Sequence, residues 1–297
     1  MPSLKARFVG FLLRTTGYYR RQFTGGEQFA PSIAKARAAA APKPTAKARA
    51  SAAISSEHFG GQTVWTFAPK DRMPTAHLLY WHGGGYIYTA APGHLAFLAH
   101  MAKAHGWHIT APLYPLAPEN TAPVVTAWAL DFYRDYVDRR AEEPFFMGGD
   151  SAGGGLTASV AMLARDAGMV LPAGLILICP WLNAEPTLPE QRAIERRDGI
   201  LTISGIESAG VSFAGSLALT DHRVSPLYGD WKGLPPVLCF GGGDDLLVTD
   251  ARALKAKLPS IDYTEVPGLM HVWPLLPLPE SKLAQTQMAE FAARAIP

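Results

Sequence analysis

Ser151 stands in the run Gly149-Asp150-Ser151-Ala152-Gly153, directly after the apolar stretch Phe145-Phe146-Met147 and ahead of helical apolar spacing from Leu156 to Ala167. A strand that turns sharply into a helix at a serine set between glycines lifts the hydroxyl above a sheet, an arrangement called a nucleophile elbow. Glycine suits both flanking positions because a side chain there would meet the neighbouring strand or helix. The chemistry this permits is acyl transfer, with the Ser151 oxygen attacking a carbonyl carbon. In a chain with 28 glycines the same five residues could form an ordinary turn, so the reading depends on partners elsewhere.

A serine hydroxyl is weakly nucleophilic at neutral pH and needs a base, normally a histidine oriented by a carboxylate. Where an elbow tops a parallel sheet, acid and base follow it in chain order. Seven of the nine histidines precede Ser151, and His222 lies ahead of the best acid; His271 remains, in a turn-rich loop after the strand-like run Tyr263 to Val266. The acid belongs between them. Val237-Leu238-Cys239-Phe240 reads as a buried strand broken by Gly241-Gly242-Gly243-Asp244-Asp245. Asp245 is assigned as the orienting carboxylate, with Asp244 as the alternative. Asp250 reads as the cap or start of the next helix, whose apolar face would include Ala253, Leu254 and Leu258.

The developing oxyanion needs donors. His82-Gly83-Gly84-Gly85 follows the apolar run Leu78 to Trp81, and consecutive glycines let backbone N–H groups approach a ligand oxygen closely. Gly83 and Gly84 are assigned to this role, joined by the Ala152 N–H at the start of the elbow helix. His82 is expected to pin the loop by hydrogen bonding and to transfer no proton. A phosphate-cradling role for these glycines fails, since no G-x-G-x-x-G opens a helix and no Gly-Lys-Ser/Thr follows.

Taken together these motifs resemble the hormone-sensitive-lipase family of α/β-hydrolases, especially its bacterial esterase branch, over roughly residues 60–297. The likeness extends to Tyr114-Pro115-Leu116-Ala117-Pro118-Glu119, to Val224-Ser225-Pro226-Leu227 and to Met270-His271. It implies Ser151, Asp245 and His271 as a triad, with Gly83, Gly84 and Ala152 as the oxyanion hole. The chain departs from the family at Pro115, usually arginine, at Asn120, often histidine, and at Asn183, often aspartate after the pair Pro180-Trp181. The first two departures lie in the supporting surroundings and the third in local cap contacts.

The elements that must position these groups follow from the apolar pattern. At 297 residues and 48% hydrophobic content the chain can bury a large core. Strand candidates run Val64–Phe67, Leu78–Trp81, His108–Ala111, Phe145–Met147, Leu175–Cys179, Val237–Phe240 and Ile261–Val266. Helical patterns fall near Pro92–His105, Ala122–Arg139, Ser151–Ala167, Ala251–Leu258 and Ser281–Ala295. Such alternation predicts an α/β fold, a mostly parallel central sheet with helices on both faces. Residues 51–297 are expected to form the catalytic domain, interrupted by an insertion at about 182–222 that is too long for a plain connection. Residues 1–50 read as an N-terminal segment and linker; the family resemblance joins both pieces into a helical cap. The apolar spacing of Leu4, Phe8, Phe11 and Leu12 suits a helix laid on that surface, and alanine-rich Ala36–Ala53 reads as a connection.

Charge is uneven: residues 1–50 hold ten Lys or Arg against Glu27 alone, +9, whereas the chain carries +2, leaving −7 for the remainder. A basic arm can serve nucleic acid or anionic membrane, but no nucleic-acid module is visible and a solvated cap face is the preferred reading. No run reaches the roughly twenty apolar residues that span a bilayer, and the short run Phe8–Leu13 closed by Arg14 argues against a secretory signal. Cys179 and Cys239 are expected as buried free thiols, consistent with the cytoplasm. His100, His105 and His108 lack a carboxylate companion, so no metal is expected there, and the reaction requires no cofactor.

The expected function is a serine carboxylesterase acting on short- to medium-chain acyl esters. Tyr86, Tyr88, Trp181, Phe213 and Trp273 are candidate pocket walls, each of which could equally be core. A lactone hydrolase or amidase on the same scaffold is the alternative. A non-catalytic binding role, as in the plant gibberellin receptors that resemble this family without its histidine, is less favoured because His271 is kept. The resemblance also points to a homodimer through the last edge strand, near Tyr263–Val266.

Overall fold

The computed structural model describes residues 1–38, 41–140, 143–185 and 189–295. Eight strands form one sheet: β1 (Ala53–Phe59), β2 (Gln62–Ala68), β3 (Ala76–Trp81), β4 (Trp107–Pro112), β5 (Phe146–Asp150), β6 (Gly174–Ile178), β7 (Val237–Gly242) and β8 (Asp262–Val266). Their order is β1-β2-β4-β3-β5-β6-β7-β8. β2 runs antiparallel to both neighbours, and every pair from β4 to β8 is parallel.

The helices are α1 (Leu4–Thr16), α2 (Tyr18–Gln22), α3 (Phe29–Arg37), α4 (Ala46–Ser51), α5 (Pro92–His105), α6 (Ala122–Asp138), α7 (Ala152–Asp166), α8 (Pro189–Glu195), α9 (Ile203–Ala214), α10 (Val248–Lys257) and α11 (Pro279–Ala295). Successive strand residues point to opposite faces, so a central strand needs apolar residues at nearly every position. On β3, Leu79 and Trp81 enter the core shared with Val125 of α6, Leu156 of α7 and Val248 of α10. Leu78 and Tyr80 enter the opposite core with Leu98 of α5 and Phe291 of α11. The fold is therefore the expected α/β-hydrolase arrangement, and parallel strands bring the carboxyl ends of β3, β5, β7 and β8 to one rim.

Three local expectations are corrected. β1 has no counterpart among the strand candidates: its Ser55, Ser56, Glu57 and His58 are polar and mostly exposed, and as an edge strand it pairs only with β2. Helix α4 and the last two residues of α3 fall within the stretch read as a connection, with the Thr45 hydroxyl accepting the Ala48 N–H at the start of α4; residues 39–40 of that stretch lie outside the described residues, as do 186–188 of the insertion. In α1 the orientation is reversed: Ala6 and Gly10 are buried, whereas Leu4, Phe8, Phe11 and Leu12 face solvent.

Packing at the elbow leaves no room for a side chain. A Cβ on Gly153 would collide with the carbonyl oxygen of Trp81, and one on Gly149 with the carbonyls of Trp81 and Gly153. Because backbone cannot rotate away as a side chain can, Gly153→Ala should lower the unfolding free energy by about 2 kcal/mol or more. Gly93→Ala, in the first turn of α5 where a Cβ meets nothing within 4 Å, should leave stability unchanged or slightly raised. Urea unfolding of the two variants checks the contrast.

Candidate active site

Ser151 joins β5 to α7 with φ 53° and ψ −123°, a conformation that non-glycine residues rarely adopt. Neighbouring backbone holds it there. Its N–H donates to Ile178 O at 2.9 Å, and its carbonyl accepts the N–H groups of Gly154 and Trp181 at 3.0 and 2.9 Å. Strain of this kind costs on the order of 1–3 kcal/mol and persists only where the surroundings overdetermine it. Ser151 is almost wholly enclosed, 6% exposed.

His271 and Asp245 meet at the same rim. The His271 Nδ1 lies 2.9 Å from Asp245 Oδ2, with both side chains buried, while Asp245 Oδ1 accepts the Leu247 N–H at 2.9 Å. Their loops are tied together, Gly243 N–H to Val266 O and Asp244 N–H to Leu269 O, both 2.9 Å. Asp244 turns outward to Arg197 at 3.0 Å and Arg14 at 3.7 Å, which separates the two candidate acids. Burial disfavours the imidazolium of His271, but the Asp245 carboxylate, with Asp198 and Asp150 farther off, overcomes this and holds its pKa above 6.5. Among the described residues Ser151 Oγ makes no hydrogen bond to His271.

The glycine loop differs from expectation. The Gly83 N–H donates at 2.9 Å to Asp150 Oδ1, which also receives the Tyr80 hydroxyl at 2.6 Å. Gly83 is therefore not a free donor, and its assignment to the oxyanion hole is corrected. The adjacent Gly84 and Gly85, at φ 125° and 62°, take backbone shapes that suit glycine. Their N–H groups and that of Ala152 find no acceptor among the described residues. His82 does pin the loop: its Nδ1 lies 2.6 Å from Gly83 O and its ring stacks on Tyr114 at 4.3 Å. Burial lowers its pKa to about 4, so it remains neutral.

Asp150 carries no signal in the sequence beyond its place in the elbow, yet it organises this corner. His94 Nδ1 accepts the Ala91 N–H at 2.8 Å, which leaves the Nε2 hydrogen for Asp150 Oδ2 at 3.0 Å. Burial opposes the Asp150 charge, but His94, Tyr80 and the Gly83 N–H outweigh it and keep the carboxyl below its ordinary range. Two more groups escape sequence reasoning. Asp198, from the insertion, accepts the N–H groups of Ile200, Leu201 and Leu246 at 2.8–2.9 Å and so clamps the acid loop. Burial and the nearby Asp245 raise its pKa to about 6. Cys179, free and buried like Cys239, brings its sulfur to within 4.8 Å of ligating atoms of Asp245 and His271, the one such cluster among the described residues. Burial and Asp245 push the thiol well above its ordinary pKa, so it stays protonated.

Tyr86, Trp181 and Phe213 come together: Tyr86 stacks on Phe213 at 3.6 Å and lies 5.7 Å from Trp181, all three buried. Trp273 does not join them. It lies in the core on the other side of the sheet, wholly buried against Phe240, with its indole N–H donated to Gly241 O at 3.1 Å, so its assignment as a pocket wall is corrected. The Tyr88 hydroxyl donates to Gln22 O at 2.7 Å and thereby holds the N-terminal segment. Asp250 lies in the first turn of α10, but its carboxylate accepts Leu182 and Asn183 N–H groups at 2.8 and 2.9 Å instead of capping its own helix. Of the histidines set aside, His100 faces Gln285 at 3.1 Å and His108 faces Arg140 at 3.2 Å.

Residues 78–275 match the family described as the alpha/beta hydrolase fold. A Mycobacterium tuberculosis protein named acetyl-hydrolase LipR is 33% identical over 243 residues, 80% of this chain and 78% of its own. An esterase of Acinetobacter venetianus is 27% identical over 73% of this chain and 75% of its own. The crystal structure of an esterase from the bacterial hormone-sensitive lipase family superposes with a TM-score of 0.80 over both whole chains at 27% identity.

The electrostatics at His271 yield a direct test. Replacing Asp198 with asparagine removes a buried negative charge that favours the imidazolium, so His271 in Asp198→Asn should titrate at lower pH than in the wild type by NMR. Asp244→Asn, whose carboxylate faces arginines, should leave that titration in place; an equal displacement in both variants would contradict the assignment.

Proposed function

We propose that this chain, which belongs to the hormone-sensitive-lipase family of α/β-hydrolases and is a carboxylic ester hydrolase, cleaves short- to medium-chain acyl esters through an acyl-enzyme at Ser151. The observation that carries the proposal is the buried 2.9 Å contact between His271 Nδ1 and Asp245 Oδ2. It leaves the opposite ring nitrogen as the base and stabilises the imidazolium once it forms. The hydroxyl–imidazole bond forms when substrate enters, since such contacts are often long in unliganded sites.

In the first step Ser151 Oγ bonds to the carbonyl carbon as His271 Nε2 takes its proton. The oxyanion is received by the N–H groups of Gly84, Gly85 and Ala152, each worth about 3 kcal/mol of barrier. His271 then protonates the leaving alcohol, and the C–O bond breaks. Water, deprotonated by the same nitrogen, attacks the acyl-enzyme and releases the acid and Ser151. The Asp198 clamp on the Leu246 N–H holds the acid loop in place through both steps, and the reaction draws on no cofactor.

Tyr86, Trp181 and Phe213 wall the acyl side, and a covered aromatic site favours short chains over long triglycerides. Two relatives named acetyl-hydrolase support the same preference. Residues 1–50 and the insertion at 182–222 act as the cap: Phe23 packs against Gly85 and Gly205, and Arg20 donates to the carbonyls of Glu195 and Asp198, both at 2.7 Å. β8, the last strand of the sheet, offers its outer edge to a second copy. The buried free thiols agree with a cytoplasmic setting.

Two outcomes follow. Ser151→Ala should keep its fold and lose at least about a thousandfold in kcat on p-nitrophenyl butyrate; Asp245→Asn should lose comparably and Asp244→Asn far less. Near-normal turnover in Ser151→Ala, or the reverse order of the aspartates, would overturn the assignment. Because the base must be neutral and Asp245 holds its proton on, kcat/KM should rise with pH through a midpoint above 6.5. A rate flat between about pH 5 and 8 would remove His271 from the role of base.

A further inference from the structure

The outward face of α1 has no partner in the fold. Around the helix, Ala6 and Gly10 point inward, where a Cβ on Gly10 would touch the Met270 methyl at 3.4 Å. On the opposite side Leu4, Phe8, Phe11 and Leu12, spaced i, i+4, i+7 and i+8, form one stripe and are 80, 61, 55 and 41% exposed. Tyr18 and Tyr19 of α2 continue the exposed apolar surface. At 100° per residue, Lys5 borders one edge of the stripe and Arg7 and Arg14 the other. Lys5, Arg7 and Arg21 have no acidic partner among the described residues, and no acid precedes Glu27 in the chain. A merely solvated basic face has no use for four large apolar side chains on one side of a helix.

We propose that α1 is an in-plane docking helix for an anionic lipid surface. The stripe enters the boundary between headgroups and acyl chains, while Lys5 and Arg7 reach headgroup phosphates from its two edges. Charge selects this occupant over a second copy of the same face, because isologous pairing would bring the unpaired Lys5 and Arg7 of one copy against those of the other, whereas an anionic bilayer supplies the missing counter-charge. The inner side of the helix lies over the candidate site: Leu13 and Arg14 pack on Gly199, and Arg14 reaches Asp244 at 3.7 Å. Docking therefore presents the cap, and the rim beneath it, to the bilayer. The association goes beyond ester cleavage and does not depend on it.

Co-sedimentation of the full chain with vesicles of phosphatidylcholine alone, or of equal parts phosphatidylcholine and phosphatidylglycerol, tests this. Binding to the anionic vesicles should exceed binding to the neutral ones by at least about fivefold at low salt and weaken as salt is raised. Phe8→Glu with Phe11→Glu should reduce anionic-vesicle binding by at least about tenfold while hydrolysis of soluble p-nitrophenyl butyrate and the melting temperature are retained. Lys5→Glu with Arg7→Glu should abolish the preference for anionic vesicles. The proposal is overturned if neither vesicle pellets the wild type, or if the Phe8/Phe11 variant binds as well. Light scattering that finds a dimer in the wild type and a monomer in that variant assigns the face to a second copy and overturns it too.

Discussion

The approach of the β5–α7 turn to β3 is the constraint on which the site rests. Gly153 and Gly149 lie against the Trp81 carbonyl so closely that no side chain fits, and this contact fixes where Ser151 points. The same closeness carries the glycine loop after Trp81 to the N-terminus of α7. Hydrogen bonds that hold Ser151 at positive φ come from Ile178 of β6, from Trp181 after it and from the first turn of α7, so the strain is shared by three segments. Elbow, loop and insertion form one packed unit.

Upon that unit sits a group of buried carboxyl groups. Asp150, Asp198, Asp245 and Asp250 are all nearly inaccessible, and each has a set of donors that compensates its lost hydration. Their tasks differ. Asp150 fixes the glycine loop, Asp198 the acid loop, and Asp250 the segment after Trp181, while Asp245 meets the imidazole of His271. Three carboxylates thus give rigidity to the backbone around a fourth, and the field of Asp245, Asp198 and Asp150 keeps His271 readily protonated.

Much of this was legible because central parallel strands are continuous apolar runs and because chemistry-bearing residues follow them at one rim. Ser151, Asp245 and His271 could be placed by that logic. The choice among Gly83, Gly84 and Gly85 could not, since it turns on the direction of the Asp150 carboxylate, and three consecutive glycines are equivalent on paper. Trp273 misled for a similar reason: Val272 adopts φ 49°, which sends residue 273 to the opposite core from the rim that holds His271. β1 was missed because a half-solvated edge carries polar residues, and α1 was turned inside out because its small residues pack inward. Asp198 lies in a charged stretch of the insertion, where nothing in the local pattern announces burial.

The central claim is that Ser151 is the acylated nucleophile. Its most direct measurement is intact mass and peptide mapping after reaction with a diethyl phosphate ester that phosphorylates serine esterases and departs slowly. A single diethylphosphoryl group per chain is expected, on the peptide containing Ser151, appearing in step with the loss of hydrolysis. Activity lost with the label on Ser159 or Cys179, or activity persisting with Ser151 fully labelled, would contradict it.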